Sequence, residues 1–196
     1  MIKIGIVGDI GSGKSFVAKQ FGYPVFDADK EVSKIYKKNN NCFRKLKKKL
    51  PKFITSFPIK KKELKTAVLE NKNNLKKIES IVHPEVQKNL RKFIKLKKNK
   101  KILVFDIPLL MENKNYKNNY ILVYVEAKKK DINRKLKERK NYNKEIIKKL
   151  RKVQLPLEIK RKKAHYAIKN NFKKKDLKKS VKVLLNKILK NERNST

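Results

Sequence analysis

Short apolar runs separated by polar stretches dominate the pattern of this chain, and they predict buried strands that alternate with helices. The runs are continuous rather than alternating, as strands covered on both faces are. The predicted strands cover residues 2–7, 24–26, 102–105, 120–125 and, more weakly, 165–168. Because strands that alternate with helices form parallel sheets, the pattern predicts an α/β fold with helices on both faces of the sheet.

Apolar residues that recur at helical spacing predict the helices between these strands. The predicted helices cover about 14–21, 29–38, 63–82 and 128–139, a stretch that begins at Pro84, and a C-terminal stretch containing Leu177 and Ile188. Pro84 is interpreted as a first helical residue because proline is tolerated there. Residues 39–62 show no clear periodicity, so their structure is left open.

The order of the predicted elements also divides the chain into regions. Residues 30–98 contain helices but no strand, which indicates a helical insertion between the second and third strands. The strands and their connecting helices, residues 1–29, 99–139 and 162–196, then form one core. The Lys- and Arg-rich stretch 140–161 is interpreted as a mobile lid.

Between the first strand and the first helix, residues 8–15 read Gly-Asp-Ile-Gly-Ser-Gly-Lys-Ser, the phosphate-binding pattern Gly-x-x-x-x-Gly-Lys-Ser/Thr. Backbone N–H groups in such a loop point at the phosphates of a nucleotide. The predicted phosphate-binding residues are Gly8, Gly11, Ser12, Gly13, Lys14, Ser15 and, through its backbone, Phe16. Lys14 is expected to reach the β- and γ-phosphates of ATP, and Ser15 to ligate Mg²⁺. The alternative is a tight surface turn before a helix.

Glycine usage narrows the class of nucleotide-binding protein. The chain has five glycines, three of them lie within residues 8–15, and none follows Gly22. A GTPase needs an Asp-x-x-Gly segment downstream of its loop, and a transporter-type ATPase needs a glycine-bearing signature. The sequence excludes both classes, and a small ATP-dependent kinase with a helical substrate arm and a basic lid remains.

The charge balance is strongly basic, with 57 lysines and arginines against 17 acidic residues and a net charge of +40. Such a balance is typical of nucleic-acid binding. However, only seven of the basic residues are arginines, which are the better partners for phosphates, and residues 1–30 carry four lysines against three aspartates. We therefore attribute the charge to solvated lysine faces and predict no nucleic-acid partner, with a basic nucleic-acid-binding NTPase as an alternative.

Composition also bears on location. Cys42 is the only cysteine, which excludes an intrachain disulfide and a zinc site built from cysteines. No apolar run of about 18 residues is present, and the N-terminus leads into the first strand without a signal-peptide pattern. We therefore expect a cytoplasmic protein without membrane spans. The sequence does not indicate an oligomeric state.

Four segments that follow the loop carry further information. They are Pro24-Val25-Phe26-Asp27-Ala28-Asp29, His83-Pro84, Asp106-Ile107-Pro108-Leu109-Leu110-Met111-Glu112 and Asn170-Asn171. Together with the loop, they resemble the dephospho-coenzyme A kinase family along nearly the whole chain. The loop is shared by many kinases, whereas the other segments in this order are far more specific.

The resemblance implies an activity and an architecture. The activity is transfer of the γ-phosphate of Mg-ATP to the 3′-hydroxyl of dephospho-CoA, the last step of coenzyme A biosynthesis. The architecture is a three-layer P-loop kinase fold, in which residues 30–98 bind CoA and residues 140–161 form the lid. The nearest alternative is another nucleoside or nucleotide kinase on the same core.

Phosphoryl transfer needs positioning and charge neutralisation, which gives roles to three carboxylates. A carboxylate at the carboxyl end of a strand beside the loop orients the attacking hydroxyl and accepts its proton. Asp29 is the predicted base, and Asp27 is predicted to support it or to meet a magnesium-bound water; capping of the next helix is the alternative for either. Asp106 is the predicted second magnesium ligand, with a structural turn before Pro108 as the alternative.

Further roles concern residues later in the chain. Arg139 or Arg134, near the start of the lid, is expected to neutralise the transferring phosphate, and a solvated helix face is the alternative. The resemblance assigns Asn170 to nucleotide binding. His83 is interpreted as a helix-entry or core residue in preference to a substrate contact, and His165 as a strand residue.

Four positions depart from the family pattern. Asp9 replaces the usual glycine and adds a negative charge near the phosphates, and Phe16 replaces the usual threonine and removes a hydroxyl near the α-phosphate. Lys160 stands where the lid carries arginine, and His165 where an acidic residue is common. These departures bear on nucleotide affinity and rate more than on the type of reaction.

Overall fold

A five-stranded parallel sheet forms the centre of the larger part of the chain. The structure is a computed structural model and describes residues 1–112, 119–139 and 142–194. Its strands are β1 (Ile2–Gly8), β2 (Val25–Asp27), β3 (Ile102–Asp106), β4 (Ile121–Glu126) and β5 (Tyr166–Lys169). They are ordered β2-β3-β1-β4-β5; β1 pairs in parallel with β3 and β4, and β4 pairs in parallel with β5. All five predicted strands are confirmed.

Helices connect the strands and build the segment between β2 and β3. In the described residues they are α1 (Lys14–Gln20), α2 (Ala28–Lys38), α3 (Asn40–Lys49), α4 (Lys61–Glu70), α5 (Asn73–Leu96), α6 (Lys129–Lys137), α7 (Lys144–Lys152), α8 (Leu157–Lys163) and α9 (Lys174–Arg193). Among these helices, none combines the length and the hydropathy that crossing a membrane requires.

Successive strand residues face opposite sides of the sheet, and helices cover both sides. On one side, Ile4 and Ile6 of β1 pack in a buried cluster with residues of α1 and α9, including Val17, Leu177 and Ile188. On the other side, α8 packs against β1 and β4. The predicted α/β fold with helices on both faces is therefore confirmed.

The chain divides into two compact units, Met1–Phe26 with Lys98–Thr196, and Asp27–Lys97. The second unit contains α2 to α5, which share an apolar cluster of their own. Binding of CoA by residues 30–98 and closure of residues 140–161 as a lid stay predictions. Residues 140 and 141 of that lid lie outside the described part of the chain.

Residues 39–62, left open by the sequence, contain α3. Asn39 begins this helix, because its Oδ1 accepts a hydrogen bond from the Cys42 N–H at 2.8 Å. Cys42 and Leu46 are buried in the apolar cluster of the second unit. The lysines at 47–49 are exposed. Because most residues of this helix are polar, its narrow apolar stripe shows no clear periodicity in the sequence.

Two helix boundaries predicted in the second unit are wrong. Pro84 does not begin a helix but lies inside α5, and residues 63–82 are not one helix. The break falls near Asn71, whose Oδ1 accepts the Asn73 N–H at 2.9 Å, so side-chain hydrogen bonding replaces helical bonding there. A proline inside a helix costs about 3 kcal/mol, and burial of Ile78, Val82 and Leu90 along α5 offsets that cost.

Glu63 caps α4 and should make the stability of the chain depend on pH. Burial raises the pKa of its carboxyl, but hydrogen bonds from Thr55, Lys60 and Ser56 outweigh burial and lower it from 4.5 to about 2. Because the folded pKa lies below the unfolded one, the stabilisation is complete above pH 4.5 and is lost as the pH falls towards about 2. Glu63→Gln should lower the free energy of unfolding near neutral pH by about 1–2 kcal/mol.

Urea denaturation at several pH values would measure this effect. The difference between the native chain and Glu63→Gln should shrink as the solution is acidified. Glu70→Gln, at the exposed end of the same helix, is the matched control and should show no such trend. An equal difference at acid and neutral pH would contradict the role of the Glu63 carboxylate.

Candidate active site

The phosphate-loop pattern lies where β1 leads into α1, at the middle of the sheet. β1 has β3 on one side and β4 on the other, so the direction of chain connections reverses at this strand. Ligands of open parallel sheets bind at such a point, outside the carboxyl ends of the strands. Asp106, the last residue of β3, lies at the same edge, since Gly5 of β1 is in register with Phe105.

The loop depends on glycine at Gly13 and on a buried amide beside it. Gly13 has a left-handed backbone with φ of 86°, and a Cβ there would overlap the Asn170 side chain. The Asn170 Nδ2 donates to the Ser12 carbonyl at 2.8 Å, and its Oδ1 accepts the Phe172 N–H at 2.9 Å. Asn170 therefore supports the shape of the loop, and its contact with a nucleotide stays a prediction.

The Lys14 side chain folds back along the loop. Its Nζ donates to the Asp9 carbonyl at 2.8 Å and to the Gly8 carbonyl at 3.2 Å. Burial lowers the pKa of this ammonium from 10.5; Asp106 opposes that change, and the positive charge of Lys160 adds to it. The charges that act on Lys14 thus include the carboxylates of Asp106 and Asp9 and the cations of Lys160 and Arg139, and such cations suit a site for a polyphosphate.

Two serines and Phe16 have different surroundings. The Ser12 hydroxyl is buried, and in the described part of the chain it has no hydrogen-bond partner, which suits a contact with phosphate. Ser15 is exposed in α1. The Phe16 ring packs against the apolar cluster of β1, α1 and α9, so this side chain extends the core instead of offering a hydroxyl.

The residues predicted to ligate magnesium supply a hydroxyl and a carboxylate, and Mg²⁺ prefers oxygen ligands. Asp106 is buried at the end of β3. No group of three or more His, Cys, Asp and Glu side chains suited to a metal occurs in the described residues. Magnesium needs no such group when one or two protein oxygens, substrate phosphates and water complete its coordination. Ser15 and Asp106 therefore fit the predicted ion.

The two aspartates of the Asp-Ala-Asp segment belong to the second unit. Asp27 ends β2 and caps α2, since its Oδ1 accepts the Lys30 N–H at 3.0 Å. Asp29 lies in the first turn of α2. Its assignment as the base and the supporting role of Asp27 stay predictions.

The candidate arginines and histidines later in the chain have different surroundings. Arg134 pairs with Asp131 at 3.1 Å on an exposed face of α6, as its solvated alternative implies. Arg139 is exposed, and its charge lowers the pKa of Lys14, after the larger effect of burial. His83 lies inside α5 with its side chain exposed, so the helix-entry and core interpretations are both wrong. His165 accepts the Leu122 N–H on its Nδ1 at 2.9 Å, which joins it to β4.

Sequence reasoning missed two ion pairs that surround the loop. Arg151 of α7 pairs with Asp9 at 2.9 Å, and Lys160 of α8 pairs with Glu112 at 2.8 Å. The Lys160 side chain is 4% exposed, so its charge is held in the interior. An acid inside a phosphate loop signals that a cation must compensate it, but the sequence offers many cations and does not single out Arg151.

Comparisons with known proteins agree with this geometry. Residues 2–176 match the family model described as CoaE, dephospho-CoA kinase. The chain is 34% identical to the dephospho-CoA kinase of Wolbachia sp. subsp. Brugia malayi over 190 residues, covering 94% of this chain and 97% of that protein.

Two solved structures are similar to this chain along nearly its whole length. TT1252 from Thermus thermophilus superimposes with a TM-score of 0.76 and 30% identity, over 95% of this chain and 97% of that one. A dephospho-CoA kinase from Campylobacter jejuni superimposes with a TM-score of 0.65 and 25% identity, over 95% and 96%. With a phosphate loop at the switch point of its sheet and a family model matched over most of its length, the chain belongs to the dephospho-CoA kinase family of ATP-dependent phosphotransferases in coenzyme A biosynthesis.

Proposed function

We propose that this chain transfers the γ-phosphoryl group of ATP to the 3′-hydroxyl of dephospho-CoA, and that the loop residues bind the phosphates while Asp29 acts as the base. The observation that carries the proposal is the position of the Lys14 ammonium. It lies at the carboxyl edge of the sheet and donates hydrogen bonds to two carbonyls of the loop. Incubation with ATP and dephospho-CoA should yield the 3′-phosphorylated product. A panel of nucleoside monophosphates tests the rival kinase activity, and phosphorylation of those acceptors alone would contradict the proposal.

The loop and its cations stabilise the charge that spreads over the transferring group. Phosphoryl transfer requires little covalent chemistry from the protein, so positioning and electrostatic stabilisation supply most of the rate enhancement. Lys14 binds the β- and γ-phosphates, and Arg139 adds a positive charge close enough to act on Lys14. Magnesium, held by Ser15 and Asp106, would neutralise phosphate oxygens when bound.

Asp29 accepts the proton of the attacking hydroxyl. A base must be able to take up a proton and turn towards the acceptor. Asp29 closely follows the carboxyl end of β2, the edge at which ligands of open parallel sheets bind. The second unit, which carries Asp29, binds dephospho-CoA, and the enzyme works in the cytoplasm.

Asp29→Asn should lower kcat about a hundredfold and leave KM for both substrates within about threefold, because it removes the base without changing the shape of the side chain. Steady-state kinetics with saturating ATP and dephospho-CoA would measure the effect. Asp176→Asn is the matched control, since Asp176 also lies in the first turn of a helix and loses the same charge. A kcat within about threefold of the native value would remove Asp29 as the base.

A further inference from the structure

The phosphate loop contains an acidic residue whose carboxylate and main-chain carbonyl both accept hydrogen bonds. Asp9 follows Gly8, and its side chain is 11% exposed. The Ile10 N–H donates to Oδ1 at 2.6 Å, and the Asp9 carbonyl accepts the Lys14 ammonium at 2.8 Å. The carboxylate therefore has a fixed position within the loop that surrounds the phosphates.

Arg151 of α7 meets this carboxylate with two parallel hydrogen bonds. Its Nε donates to Oδ1 at 3.2 Å and one terminal nitrogen donates to Oδ2 at 2.9 Å. This forked geometry is the strongest arrangement available to a guanidinium and a carboxylate. The pair borders a cavity of about 480 Å³ that Lys129, Gln154 and Leu157 also line.

An uncompensated Asp9 would oppose nucleotide binding. Like charges repel each other, more strongly in a partly buried site than in water, and a polyphosphate carries several negative charges. The largest effect on the pKa of Lys14 is burial, which lowers it. The Asp9 charge acts on the same ammonium within the loop and raises its pKa. The loop thus holds a negative charge where it must accept an anion.

We propose that Arg151 is a positioning residue for the nucleotide, which acts through Asp9 by neutralising the carboxylate and fixing its direction. The inference rests on the proposed use of the loop for ATP. It predicts an asymmetry: loss of Arg151 weakens ATP binding, whereas loss of the Asp9 charge does not. A pair that only stabilised the fold would lower the free energy of unfolding of its variants and leave the Kd of the folded variants for ATP nearly native.

Calorimetric titration of the full chain with ATP, together with KM and kcat, would test the asymmetry. Arg151→Met should raise Kd and KM for ATP about tenfold and leave kcat within about threefold. Asp9→Asn keeps the acceptor for the Ile10 N–H and should leave Kd within about threefold. The double variant Asp9→Asn/Arg151→Met should return to nearly native Kd, although α7 has then lost its bond to the loop.

A matched control separates this local effect from the general basic field. Lys152→Met removes one positive charge from an exposed position of the same helix and should leave Kd for ATP nearly native. Equal losses for Arg151→Met and Asp9→Asn, no recovery in the double variant, or an Arg151→Met effect no larger than that of Lys152→Met would each overturn the inference. Failure of the native chain to bind ATP would instead overturn the proposed function.

Discussion

Lys14→Met should lower kcat for phosphoryl transfer about a thousandfold. Removal of one preorganised donor from a site of developing negative charge costs about 3–4 kcal/mol in comparable enzymes. Lys14 is preorganised because the Gly8 and Asp9 carbonyls hold its ammonium, and methionine keeps the length of the side chain without the charge. Product formation from ATP and dephospho-CoA at saturating concentrations would measure the loss.

The control for Lys14 comes from the same helix. Lys19 lies in the last turn of α1 with its side chain exposed, so Lys19→Met removes an equal charge outside the loop. We expect its kcat to stay within about threefold of the native value. If Lys14→Met kept more than about a tenth of native kcat while remaining folded, the central role given to this ammonium would be wrong.

Lys160→Met should lower the free energy of unfolding by about 3–5 kcal/mol, the cost of leaving one member of a buried ion pair alone. The Glu112 side chain is 13% exposed and already accepts the Leu155 N–H at 2.9 Å. Without Lys160, this carboxylate keeps its desolvation cost and loses its counter-charge. Urea denaturation near neutral pH, with the transition followed by circular dichroism, would measure the change.

A second substitution distinguishes the buried charge from simple loss of packing. Glu112→Gln/Lys160→Met removes both charges, and glutamine still offers an acceptor for the Leu155 N–H. The double variant should recover to within about 1 kcal/mol of the native chain, because neutral replacement of a buried pair is often harmless. Lys162→Met, exposed on α8, should change stability by less than about 0.5 kcal/mol. A double variant as unstable as Lys160→Met would show that packing of the lysine stem dominates.

The sheet and the loop could be predicted because their signals are local. Continuous apolar runs mark strands such as residues 102–105, and the loop motif fixes four of eight consecutive positions between a strand and a helix. The capping of α2 by Asp27 is local too, since it joins residues three apart in the chain. Interactions between residues that are close in the chain can therefore be predicted from a single sequence.

The errors arise where distant packing overrides local preference. Proline is typical of the first turn of a helix, yet Pro84 lies inside α5, because burial of one face of α5 stabilises the helix on both sides of the proline. Asp9 and Arg151 are separated by 142 positions, and Lys160 and Glu112 come from different elements. In a chain with 57 basic residues, no local pattern indicates which cation meets which acid.

An acidic residue inside a phosphate loop constrains the order in which such a sequence can arise by single substitutions. From an ancestor with neutral residues at both positions, acquiring Asp9 first would pass through a loop that repels its nucleotide. Acquiring Arg151 first passes through a loop that still binds it. If Arg151 compensates Asp9, the substitution to arginine must come first for every intermediate to bind the nucleotide. By the same reasoning, introducing Asp9 into a relative that lacks the arginine should weaken nucleotide binding.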